Sequence, residues 1–104
     1  MLTLIENNKQ RIIDACKEMQ VKSLYLVGSA AREMDFTDKS DLDFTYSMIT
    51  DNEGMPLSGA DYFDILFRLE DITGKKVDLI SENGIRNKYF LESILKDRIK
   101  IYEA

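Results

Sequence analysis

At 104 residues, 44% of them apolar and 32% charged, the chain has length for one domain with one core and little surplus. It has no histidine and one cysteine, which removes a Ser-His-Asp triad, a histidine metal ligand, an internal disulfide and a cysteine zinc cluster, so any metal must be held by oxygen, as Mg2+, Mn2+ or Ca2+ are. The net charge of −5 argues against a broad positive field for nucleic acid, and with no apolar run of membrane-spanning length and no signal-peptide core at the start, the expectation is a cytoplasmic protein without a membrane partner.

Over residues 4–20, Ile5, Ile12, Cys16 and Met19 fall along one stripe that Leu4 and Ile13 widen, which predicts the first helix. Cys16 lies on that stripe and reads as a small buried hydrophobe rather than a reactive thiol. Val21 and Lys22 lead into residues 23–27, a buried strand that stops at Gly28. Glycine lets the backbone come close to a ligand, and Ser29 sits where the N-cap of a short helix from Ala30 would be. A helix start offers unpaired N–H groups that suit an anion such as phosphate. Arg32 reads equally as a solvated charge or as a phosphate contact. Glu33, Asp35 and Asp38 read as solvated acids of a polar connection.

Residues 41–48 alternate, with Asp41, Asp43, Thr45 and Ser47 on one face and Leu42, Phe44, Tyr46 and Met48 on the other. In such a strand Asp41 and Asp43 point the same way with Cα atoms roughly 6.5–7 Å apart. Carboxylates so placed repel unless a cation sits between them, and Mg2+ favours oxygen ligands of this type. The plain alternative is an amphipathic strand whose aspartates face water, since a lone Asp-x-Asp often arises by chance.

Residues 50–60 concentrate turn formers and form a loop. Residues 61–73 follow as a helix closed by Gly74. Tyr62, Ile65, Leu66, Leu69 and Ile72 make its stripe, and Phe63 and Phe67 add a second apolar flank. An arc that wide suggests burial against more than one neighbour, with core packing preferred over a partner surface. Lys75 and Lys76 lead into Val77-Asp78-Leu79-Ile80, a short strand whose single acid either faces solvent or joins Asp41 and Asp43. After a turn at 81–84, residues 85–97 carry helical spacing through Phe90, Ile94 and Leu95, and residues 98–102 alternate as a final strand.

The Gly28-Ser29 turn followed by Asp41-Leu42-Asp43 resembles the Gly-Ser…Asp-x-Asp signature of the DNA polymerase beta-like nucleotidyltransferase superfamily, most closely its minimal members. The resemblance continues through Tyr62-Phe63-Asp64, Leu69-Glu70, Gly74, Lys76 to Ile80, Ile85, Asn87, Tyr89-Phe90 and Ile101-Tyr102. It implies an α/β (α+β) fold in which a small mixed β-sheet is flanked by helices, in a single domain over residues 1–104. It implies transfer of a nucleoside monophosphate, AMP from ATP, to a hydroxyl acceptor. Asp41, Asp43 and Asp78 would be the catalytic carboxylates holding two Mg2+ ions, and Gly28, Ser29 and Arg32 would contact the phosphates. Minimal members resemble the antitoxin halves of two-gene modules that adenylylate a tyrosine of a HEPN-family toxin, so an NTP and such a toxin are the partners implied. Direct nucleic-acid binding is not expected, and a homo-oligomer is left open.

The chain departs from the family pattern in three places. Eleven residues separate Ser29 from Asp41 where ten are usual, Glu33 stands where many members carry glycine, and Lys88 replaces a common proline. The second reading is therefore a binding module of the same fold that no longer turns over and neutralises a partner by contact. An antibiotic-modifying transferase is a third, disfavoured by the short chain.

Overall fold

The apolar stripe near the start of the chain forms α1 (Thr3–Glu18), which buries Ile5, Ile12, Ala15 and Cys16 and leaves its charged side to water. The structure, a computed structural model, describes residues 2–33, 36–37, 39–84 and 87–104. The expectations placed on Asp35, Asp38 and Ile85 lie outside these residues. Gln20, at φ 56°, turns the chain into β1 (Val21–Val27), which begins before Ser23 because Val21 already pairs with Met48. Then follow α2 (Gly28–Arg32), β2 (Leu42–Met48), α3 (Tyr62–Thr73) and β3 (Val77–Ser81). A 3-10 turn at Glu82–Gly84, α4 (Lys88–Lys96) and β4 (Ile99–Glu103) complete the order.

The four strands form one mixed sheet in the order β3-β2-β1-β4, with β1 antiparallel to both β2 and β4, and β2 parallel to β3. This is the small mixed sheet with flanking helices that the family resemblance implies. Leu24, Leu26, Leu42, Phe44, Val77 and Leu79 from the sheet join Ile5, Ile12 and Cys16 of α1 and Ile65, Leu69 and Ile72 of α3 in one cluster. Burial pushes the Cys16 thiol up to about 12, so it stays protonated and packs as a hydrophobe.

The helix ends follow from local chemistry. Asp61 is the cap of α3 rather than its first residue: its carboxylate accepts from the Asp64 N–H at 2.9 Å, and the Asp64 carboxylate accepts from the Asp61 N–H at 2.8 Å. Gly74, at φ 69°, closes the same helix, donating its N–H to the Glu70 carbonyl at 2.8 Å. Asn87 accepts from the Phe90 N–H at 3.1 Å and starts α4 there.

One expectation about burial is corrected. Phe63 and Phe67 do not pack into the core; they are 57% and 60% exposed. A helix docks through one stripe, and α3 docks through Ile65, Leu69 and Ile72, so the second flank stays outside. There Tyr62 meets Phe63 edge to face with ring centroids 5.2 Å apart, and Phe63 stacks on Phe67 at 6.0 Å. The helix α4 has the expected helical spacing and buries none of its residues. Among the described residues no helix is long and apolar enough to cross a membrane.

Candidate functional site

Strand β1 delivers the chain to Gly28 in extended conformation and the backbone then reverses sharply, Gly28 taking φ +70°. An L-residue is strained at that angle, and here space forbids one as well. A β-carbon on Gly28 would collide with Oδ2 of Asp43, which lies directly against the glycine. The close approach follows from register, because Val27 is the cross-strand partner of Asp43. Ala30 and Ala31, both buried, let the short α2 sit tightly behind this turn. Ser29 is half-buried beside it.

Asp43 is also paired across the sheet, in parallel register, with Asp78 of β3. The two carboxyl groups are in hydrogen-bonding contact. Burial first, then the charge and hydrogen bond of Asp78, and then the charge of Asp41 push the Asp43 carboxyl up to about 6, with Arg32 opposing. Two such groups side by side cannot both ionise without cost, so one retains a proton or a cation intervenes.

Asp41 differs from the expectation. It precedes β2 instead of lying in it, since the strand begins at Leu42, whose N–H donates to the Lys76 carbonyl at 3.0 Å. It is half-buried and acts on Asp43 through charge rather than through the strand ladder. Thus the structure joins Asp43, Asp78 and Gly28 closely and brings Asp41 and Arg32 within electrostatic reach. Among the described residues no three acids converge as a ready metal cage. The donor chemistry nevertheless fits a hard divalent cation: oxygen-only, and crowded enough that Asp43 holds its proton to about 6.

Arg32, half-exposed at the end of α2, lies 4.0 Å from Asp97 at the end of α4. Asp97 went unnoticed in the residue pattern because nothing local marks a partner so distant in the chain. Thr45 is the other residue missed. It shares the alternation of Asp43 but is buried, and its Oγ1 has no hydrogen-bond partner. The residues after α2 explain two departures from the family pattern. Glu33 is the C-cap of α2 and takes the left-handed φ 57°, so the glycine usual there answers a backbone demand. The longer loop is closed locally, Ser40 Oγ accepting from the Thr37 N–H at 3.0 Å and the Ser40 N–H donating to the Thr37 carbonyl at 3.0 Å.

The chain is similar to known proteins over most of its length. Residues 10–104 match the family model described as polymerase beta, nucleotidyltransferase. A Methanocaldococcus jannaschii protein provisionally assigned as a protein adenylyltransferase is 36% identical over 98 residues, 94% of this chain and 91% of that protein. A solved structure provisionally assigned as a minimal nucleotidyltransferase superposes with a TM-score of 0.71 at 22% identity, over 94% of this chain and 95% of the other. A chain from the complex of tri-AMPylated Shewanella oneidensis HEPN toxin with MNT antitoxin superposes with a TM-score of 0.62 at 14% identity, over 95% of this chain and 72% of the other. At those identities the superpositions speak for the fold.

Proposed function

The chain belongs to the polymerase beta nucleotidyltransferase family, and from that membership we propose that it transfers AMP from ATP to a protein hydroxyl, a tyrosine of a HEPN-type toxin, in the cytoplasm. The observation that carries this is Asp43, paired across the sheet with Asp78 and lying directly against Gly28. A carboxylate pair beside a tight backbone turn puts cation ligands next to N–H groups that suit a phosphate chain.

In the reaction, the acceptor oxygen attacks the α-phosphorus, a new O–P bond forms, and the bond from that phosphorus to the β-phosphate oxygen breaks. Pyrophosphate leaves, and the hydroxyl proton passes to a nearby carboxylate. Gly28 and Ser29 would offer backbone N–H groups and the Ser29 hydroxyl to the β- and γ-phosphates, and Arg32 would add positive charge at the rim. Asp41, Asp43 and Asp78 would hold two Mg2+ ions, which when bound supply charge to the entering and leaving oxygens. Asp78, the exposed member of the pair, would receive the acceptor's proton. The similar archaeal adenylyltransferase supports AMP as the transferred group, and the similar chain from the toxin–antitoxin complex supports the partner.

The test is to incubate the chain with α-labelled ATP, Mg2+ and a HEPN toxin. Label on a toxin tyrosine, lost in Asp43→Asn and in Asp78→Asn, is the expected result. Toxin neutralised equally well by those two variants, with no label transferred, would leave the contact-only binding module in its place.

A further inference from the structure

The sheet has two unlike faces. On one, Leu24, Leu26, Phe44 and Leu79 join the core with α1 and α3. Alternation turns Tyr25, Asp43, Thr45, Asp78 and Ile80 to the other, which α4 does not pack, since none of its residues is buried. One row across this second face is Asp78, Asp43 and Val27. The next row, Ile80, Thr45, Tyr25 and Lys100, lies one pleat repeat, roughly 6.5–7 Å, further along the strands. The acid pair therefore adjoins a second row whose aromatic member belongs to β1, the strand that ends at the Gly28 turn.

Arg98 lies over that row. It immediately precedes β4, whose Ile99 pairs with Leu26 of β1. Its guanidinium carbon is 4.3 Å from the centre of the Tyr25 ring, and its Nη1 is 3.7 Å from Oε1 of Glu82, the residue that follows β3. Tyr25 beneath it and Glu82 beside it hold the guanidinium as a flat shelf next to the acids. The Arg98 side chain is still 37% exposed, so the shelf is accessible from water. Glu82 balances its charge, which suits an uncharged ring better than a phosphate. The phosphate end has its own cation in Arg32.

We propose that the purine base of the nucleotide stacks on Arg98, with Tyr25 as the layer beneath and Glu82 as the positioning residue that holds the guanidinium flat. This rests on the nucleotidyltransferase reading and adds to it where the base of the substrate sits. Two placements favour the base over the ring of an acceptor tyrosine. A single sugar spans the distance from an α-phosphate at the acid row to a ring one row further on. The aromatic floor of the shelf also belongs to β1, which runs into the turn assigned to the phosphates, whereas Asp78, assigned to the acceptor, stands on the edge strand β3. Stacking draws on the π-face that every base has, and a purine offers the larger one.

Isothermal titration calorimetry with Mg2+ and no acceptor tests this with two probes, ATP and inorganic tripolyphosphate, which has no base. Arg98→Ala is expected to bind ATP about tenfold more weakly than the intact chain, the scale of one lost base stack, and to bind tripolyphosphate equally well. Arg98→Lys, which keeps the charge and loses the plane, is expected to lose as much. Glu82→Ala, which releases the guanidinium, is expected to weaken ATP about threefold, the scale of one exposed ion pair, and serves as the second variant if the Arg98 variants fail a circular-dichroism check. Undiminished ATP affinity in Arg98→Ala, full affinity retained in Arg98→Lys, or equal losses for both probes overturns the shelf and leaves the transferase reading standing. Arg98→Ala that binds ATP normally but labels the toxin poorly at low toxin concentration overturns it too, by giving the shelf to the acceptor. An intact chain that binds neither probe overturns both readings.

Discussion

Gly28 and Asp43 constrain each other more tightly than any other pair near the site. The glycine sits at φ +70° with the Asp43 carboxylate where a side chain would begin. The left-handed angle alone costs an ordinary residue about 1–2 kcal/mol, and the collision adds to that. Gly28→Ala is therefore expected to lower stability by about 1–3 kcal/mol in urea unfolding and to abolish AMP transfer. A variant that keeps both would show that the turn tolerates a side chain. Asp43 itself predicts a pH dependence. Its carboxyl rises from 3.8 to about 6 on folding, so the native state holds this proton more tightly than the unfolded chain does. Its contribution is fully present below about 3.8 and is lost as pH rises through about 6. Thermal unfolding in EDTA should show the intact chain losing stability relative to Asp43→Asn across that window, and the variant melting higher at pH 7. Parallel pH profiles for the two proteins would contradict the burial and crowding that raise this group.

Element boundaries here come from caps, and element stability from one docked stripe. In α3 the reciprocal Asp61–Asp64 bonds end the helix on one side, and Gly74 ends it on the other. Asp61→Ala is expected to cost about 1 kcal/mol. Leu69→Ala, in the buried stripe, should cost about 2–5 kcal/mol. Phe67→Ser, on the outer flank, should stay within about 0.5 kcal/mol when measured in dilute solution. Urea denaturation of the three variants under one condition checks the order, and a Phe67 effect as large as that of Leu69 would mean the flank is part of the core. The helical period and both caps of α3 can be read from residue types. Which part of its wide apolar arc meets the sheet cannot, because α1, the competing neighbour, takes part of the same core surface.

At the scale of the whole molecule, the Asp43–Asp78 pair ties the central strand β2 to the edge strand β3. A divalent ion held by both carboxylates would bind the folded sheet and not the unfolded chain. Adding Mg2+ to EDTA-treated protein is expected to raise Tm, by about 2.7 kcal/mol of stability at a hundredfold excess over Kd. Asp43→Asn and Asp78→Asn should lose most of that rise. An equal rise in both variants would place the ion elsewhere. The crossover through α3 brings the two acids level, since a parallel neighbour of β2 requires a helix-length connection.

Residue order alone was enough for the strand that halts at Gly28, the alternation through Asp43, the stripes of α1 and α3 and the exclusion of histidine and thiol chemistry. Those features rest on short-range physics: side-chain periodicity, glycine's freedom and the absence of whole residue types. Register and docking are long-range. They place Asp78 beside Asp43, set Asp41 outside the strand, pair Arg32 with Asp97, strand Thr45 without a partner and leave Phe63, Phe67 and α4 facing water. Each depends on which surfaces win the limited core of a small chain, a competition among distant segments that no single segment encodes.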